Sequence, residues 1–194
     1  MGATLLEKEV NEMSELEILR KGFIAFLDGL WWSLRNTVGA LSMYEGYMGG
    51  FKQLGQEAAE TAGAKGPDAA ARTAAETLRA IGLEIEQKGK EIEIKSCPLW
   101  NRILKRGLEY AFHIEEICYT PLLTGIGQKA GVKPVLVSSL RDSHLERVKL
   151  QYKLDKAKSS LDKGETSQAE YNKQRDMLEQ SMARLPRTGR YRFE

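Results

Sequence analysis

The sequence is poor in the residues that most often mark a site: two cysteines, two histidines and five prolines among 194 residues. With only His113 and His144 available, a multi-histidine metal centre or a histidine-based triad is hard to assemble. Long apolar runs are also missing. The richest stretch, Gly22 to Leu34, is interrupted by Asp28 and two glycines, and a membrane span needs roughly 18 to 20 apolar residues. Met1 to Glu9 has no basic segment leading into an apolar core, so no secretory signal is expected and the setting is read as cytoplasmic, with reduced thiols. A net charge of +2 argues against a dedicated nucleic-acid surface. The glycine-rich stretches Gly46 to Gly50 and Gly125 to Gly127 lack the spacing and trailing Lys-Ser/Thr of a phosphate loop.

What remains is strongly patterned. Ser14-Glu15-Leu16-Glu17 reads as a capping box, and Leu16, Leu19, Phe23, Phe26, Leu27, Leu30, Leu34 and Val38 follow at helical spacing. Trp31 and Trp32 are adjacent and cannot both face one way on a helix, so one of them is expected at a subunit contact, a pocket rim or in the core. A second, glycine-rich helix is expected over 41–62. Pro67-Asp68 opens a third that ends at Gly82. Leu83, Ile85, Ile92 and Ile94 alternate with charged residues across a Lys88-Gly89 turn, the period-two pattern of a hairpin with one buried face. A single amphipathic helix over 99–119, a short helical segment from Thr120-Pro121 to Gly131, and a third strand within 133–140 complete the reading. The fold class expected is α+β: long N-terminal helices, a small antiparallel sheet packed on helices, and a C-terminal helical hairpin.

Two units are expected, a core of residues 1–140 with an N-terminal dimerisation arm and an appendage of residues 141–194. The appendage carries 13 basic and 9 acidic side chains. Its final Arg184, Arg187, Arg190 and Arg192, interleaved with Tyr191 and Phe193, read as a frayed, solvated tail.

Chemistry gathers at one place. Cys97 opens a Cys-Pro-Leu-Trp tetrad after the hairpin, and Cys118 lies at the far end of the next helix. On a wheel of about 100° per residue, Glu115 falls within the apolar arc beside Cys118, where a carboxylate must be paired or coordinated. His113 falls on the polar arc with Glu109 and Glu116. If Cys97 packs over the apolar arc, Cys97, Glu115 and Cys118 converge, a set suited to zinc or iron with an open position. The same thiols could instead form a redox pair, a catalytic Cys97 with Glu115 as base, a disulfide, or two buried small hydrophobes. Trp100 and Tyr119 are placed on the rim as ligand contacts.

The series helix, Gly82, hairpin, Cys97-Pro98-Leu99, helix, Cys118 resembles the vinyl-reductase domain and the amino-thiazoline-carboxylate hydrolase-like proteins. The resemblance implies an α/β fold, dimerisation through the N-terminal helices and a small hydrophobic or tetrapyrrole-related ligand. It also implies a third cysteine, which is absent after Val137, leaving Glu115 or water in its place. Leu161 to Ser167 with Glu170-Tyr171 resembles a short helical module appended to many bacterial proteins. Three functions follow as expectations: a small-molecule or metal-binding homodimer, a hydrolase or reductase acting on a small or sulfur-containing substrate through Cys97, or a scaffold acting through its helices. No membrane or nucleic-acid partner is expected.

Overall fold

The computed structural model describes residues 5–194, with side chains from Glu15 onward. The first helix, α1 (Leu5–Val38), runs through the Ser14 position, which is therefore mid-helix rather than a cap; the Ser14 side chain lies outside the described residues. Then come α2 (Ala40–Ala62), α3 (Gly66–Ala80), and the hairpin strands β1 (Glu84–Lys88) and β2 (Glu91–Ser96). They are followed by α4 (Pro98–Lys105), α5 (Thr120–Ala130), β3 (Pro134–Ser138), α6 (Leu140–Asp162), α7 (Gln168–Arg184) and β4 (Gly189–Phe193). The class is α+β, with a four-stranded antiparallel sheet in the order β1-β2-β4-β3. No described helix is long and apolar enough to cross a membrane.

The position of β4 corrects the reading of a loose tail. Arg190-Tyr191-Arg192-Phe193 alternates with period two, so the aromatic rings enter the core while the arginines face outward. Tyr191 lies opposite Ile92 on one side and Leu136 on the other, and both Tyr191 and Phe193 are fully buried. The last strand is thus interior to the sheet. The α6–α7 hairpin is a detour between two paired strands, so the boundary at residue 140 does not separate an independent appendage from the core.

The helical layer is set by close backbone approach. A Cβ on Gly55 of α2 would lie 2.0 Å from the Leu122 carbonyl oxygen, and one on Gly125 of α5 would lie 2.2 Å from that of Lys52. Only glycine permits this packing. Against this pair, α1 is fastened at a few points. Arg20 donates to the carbonyls of Ala80 and Arg79, both at 3.0 Å, closing the end of α3. Buried Asp28 pairs with Arg106 at 2.8 Å and Arg102 at 3.4 Å. Trp31 stacks on Tyr44 and meets Phe112 edge-on.

The expected single helix over 99–119 is broken, and the chain shows why. Gly107 adopts φ +63°, a left-handed conformation that ends α4. Pro121 has no N–H, and its ring crowds the carbonyl four residues back. The turn before it, Glu115–Tyr119, widens to a π-helix, with the Thr120 N–H reaching the Glu115 carbonyl.

Replacing Phe193 by Ala is expected to cost about 3–5 kcal/mol, whereas Tyr152→Ala, exposed on α6, should stay within about 0.5 kcal/mol. Urea unfolding followed by circular dichroism checks both. Equal, small effects would restore the loose tail.

Candidate functional site

Burial of Glu115 is as the sequence suggested, 4% exposed, but its partner is not a metal set. The carboxylate faces the N-terminus of α6. It accepts a hydrogen bond from the Ser139 hydroxyl, one from the Leu140 N–H at 2.6 Å and a longer one from the Arg141 N–H at 3.4 Å. Ser139 itself caps α6 by accepting from the Asp142 N–H at 2.8 Å. An acid at this end of a helix meets unsatisfied amides and the positive pole of the macrodipole. Burial nevertheless outweighs these bonds and raises the Glu115 carboxyl above its ordinary 4.5. Two arginines of α6 complete the fastening: Arg141 donates to the carbonyls of Glu109 and Tyr110, and Arg147 to those of Met182, Leu185 and Pro186.

Cys97 and Cys118 are both free and buried. The Cys97 sulfur is the N-cap of α4, accepting from the Trp100 N–H at 3.4 Å. Its thiol is pushed up by burial, partly offset by hydrogen bonding from Tyr119 and from the α4 backbone. The Cys118 thiol and the Tyr119 phenol are raised well above their usual ranges, first by burial and then by the neighbouring thiols. These groups are neutral at physiological pH, opposite to what an activated nucleophile needs. Among the described residues no three His, Cys, Asp or Glu side chains are placed to hold a metal ion. Cys97 and Cys118 are neighbours, whereas the bond network of Glu115 turns it to α6, so the three are not gathered as one group among the described residues.

The remaining expected site residues separate. Trp100, with Cys97, lines a polar cavity of about 410 Å³ that also includes Lys95, His144, Arg147 and Arg187. Tyr119 is in the core rather than on a rim. His113 is half-buried, 3.6 Å from Glu116 and tilted against Tyr44. Of the adjacent tryptophans, Trp31 is buried and Trp32 lies outside, its ring covered in part by the guanidinium groups of Arg35 and Arg106.

A larger hollow was not read from the sequence as such. It is a groove of about 660 Å³ between α1 and α2, walled by Phe23, Phe26, Leu30, Leu34 and Val38 on one side and by Met43, Gly46, Gly50 and Phe51 on the other. Tyr47 is there too, but its hydroxyl is occupied by the Leu27 carbonyl. Signals were present in the spacing 19, 23, 26, 30, 34, 38 on α1 and in the glycines of α2.

In the native state both thiols should react with iodoacetamide at pH 8 at least about 100-fold more slowly than free cysteine, and fully after unfolding; rapid labelling of Cys97 would contradict their neutral, buried state. Glu115→Ala should cost about 1–3 kcal/mol, Glu115→Gln less. Because the folded chain keeps the Glu115 proton to a higher pH than the unfolded one, the stability of the native protein relative to Glu115→Gln should fall as pH rises above 4.5. Urea midpoints at pH 4 and pH 7 measure it.

No protein-family model, curated protein or solved structure matches the chain.

Proposed function

We propose that the chain is a small-molecule-binding protein that works as a homodimer, the α1–α2 groove of each copy receiving α1 of the other. The carrying observation is that the groove and the helix able to fill it belong to one chain. Leu19, Phe23, Phe26, Leu30, Leu34 and Val38 recur at intervals of three and four, the spacing of a helix–helix seam. Leu19 at 70% and Phe26 at 62% are exposed. A second apolar face of α1, Ile24, Leu27 and Trp31, is already buried against the core.

The floor of the groove supports the same occupant. Gly46 and Gly50 are one helical turn apart, and a Cβ at either would meet nothing within 4 Å. Glycine inside a helix is destabilising by about 1 kcal/mol relative to alanine, and no contact among the described residues offsets it here. Elsewhere in α2, at Gly55, the same residue type admits another helix. Further apolar side chains are exposed on α1 and α2, among them Ile18, Leu41 and Met48. A shared groove closes with two-fold symmetry and leaves no unpaired surface to propagate.

The resemblance to the vinyl-reductase domain implies the same use of the N-terminal helices. Binding, rather than thiol catalysis, is supported by the neutral Cys97 and Cys118, and free thiols fit a cytoplasmic, reducing setting.

Sedimentation equilibrium should give a dimer at micromolar concentration. Phe26→Glu should shift it to monomer while leaving the circular dichroism spectrum of the folded chain. Gly50→Leu should also give a monomer, with a melting temperature no lower than that of the Phe26→Glu chain, since leucine favours helix. A native chain that is monomeric up to about 100 µM overturns the reading.

A further inference from the structure

The cavity beside Cys97 carries charge of one sign. Lys95 from the end of β2, His144 and Arg147 from α6, and Arg187 from the α7–β4 connection line it together with Trp100, and none of the lining residues is acidic. Two of the cations are engaged. Lys95 is paired with Glu93 at 2.6 Å and Glu86 at 3.0 Å, and Arg147 holds the carbonyls that end α7. Arg187 and His144 are different: among the described residues neither is ion-paired with a carboxylate, and His144 meets the Trp100 ring edge-on at 5.7 Å. At about 410 Å³ the space is that of a small-molecule site.

We infer that this cavity binds a small organic anion bearing a flat ring, with the anionic group on Arg187 and the ring against Leu104 and the Trp100–His144 pair. The planar guanidinium fork matches a carboxylate or phosphate in two-pronged fashion. Beside it, Arg147 adds a second guanidinium that is bonded to carbonyls rather than to a carboxylate. Trp100 and Leu104 supply the apolar side that a ring requires. The Cys97 thiol at the floor is neutral, so it does not repel a negative ligand as a thiolate would. The position is specified by the core, because Arg187 stands two residues before β4 and α6 is held by Glu115 and Ser139.

The inference names the ligand class for the binding reading above and does not require the dimer, since the groove and this cavity share no lining residue. The test is a titration of the full ¹⁵N-labelled chain with benzoate, phenyl phosphate and, as a neutral control, benzyl alcohol, with oligomeric state measured on the same samples. Saturable shifts of the Trp100 indole N–H are expected with at least one of the two anions, and the stronger of them tells carboxylate from phosphate. Arg187→Ala, on an exposed connection, should weaken that binding at least tenfold with an unchanged melting temperature, and His144→Ala should weaken it less. Non-saturating shifts, equal affinity for benzyl alcohol, or an Arg187→Ala affinity within twofold of native would overturn the proposal, whichever oligomeric state is found.

Discussion

Between β2 and β3 there is room for one strand, and only the last residues of the chain fill it. Until Gly189–Phe193 arrives, Ile92 is paired on the β1 side alone, Leu136 has no strand neighbour, and the sheet is a hairpin plus an isolated edge. Two-stranded hairpins are marginal in water. The core therefore closes late in the sequence, after a helical excursion of some forty-five residues, and the contacts that aim that excursion matter out of proportion to their number. Glu115 holds the start of α6, Arg141 ties it to the carbonyls at Glu109 and Tyr110, and Arg147 ends α7 so that Pro186 and Arg187 lead straight into β4. The polar cavity beside Cys97 is a by-product of this closure, walled by the elements that have to meet for β4 to pair.

Much of this was legible wherever a local pattern acts alone. Leu83 to Lys95 alternates with period two and forms the hairpin, although the turn falls at Gly89-Lys90 rather than Lys88-Gly89. Ser167 and Glu170 form the reciprocal capping box that their spacing specifies. The buried Glu115 was also readable, because an acid within an apolar arc must find a partner. Its partner was not, since the α6 N-terminus lies twenty-four residues further on and nothing local to Glu115 announces it. The wheel over 99–119 assumed an unbroken helix, and Gly107 and Pro121 break that assumption. The tail misled for another reason. Its Arg-Tyr-Arg-Phe alternation is a strand signal, but charge at every second position is also what a solvated segment shows, and only a vacant place in the sheet distinguishes the two.

Glycine in α2 divides into two populations with opposite meanings. Gly55 is required by contact: with Gly125 it lets two backbones touch, and any side chain there would part the helices. Gly46 and Gly50 are required by no contact among the described residues, although each weakens the helix that carries it. A cost without an internal return points outward, and the apolar stripe of α1 that borders the same groove points the same way. Asp28 limits how α1 can respond. Held between Arg102 and Arg106, it keeps the Ile24–Leu27–Trp31 face on the core, so the Phe23–Phe26–Leu30 stripe cannot roll inward to hide.

The chemistry of the two cysteines follows from where that fastening leaves them. Cys97 sits at the junction of the hairpin and α4, the one point at which a side chain must cap a helix and at the same time fill the core; a thiol is small, tolerates burial and still accepts a weak hydrogen bond. Serine would cap better and bury worse. Cys118 occupies the widened turn before Pro121, where Tyr47, Tyr119 and Tyr191 surround it with neutral groups. Burial is the first cause that holds either sulfur neutral. A neutral Cys97 sulfur and an Arg187 guanidinium without a carboxylate partner among the described residues thus share one cavity, and the arginine is the half with something left to bind.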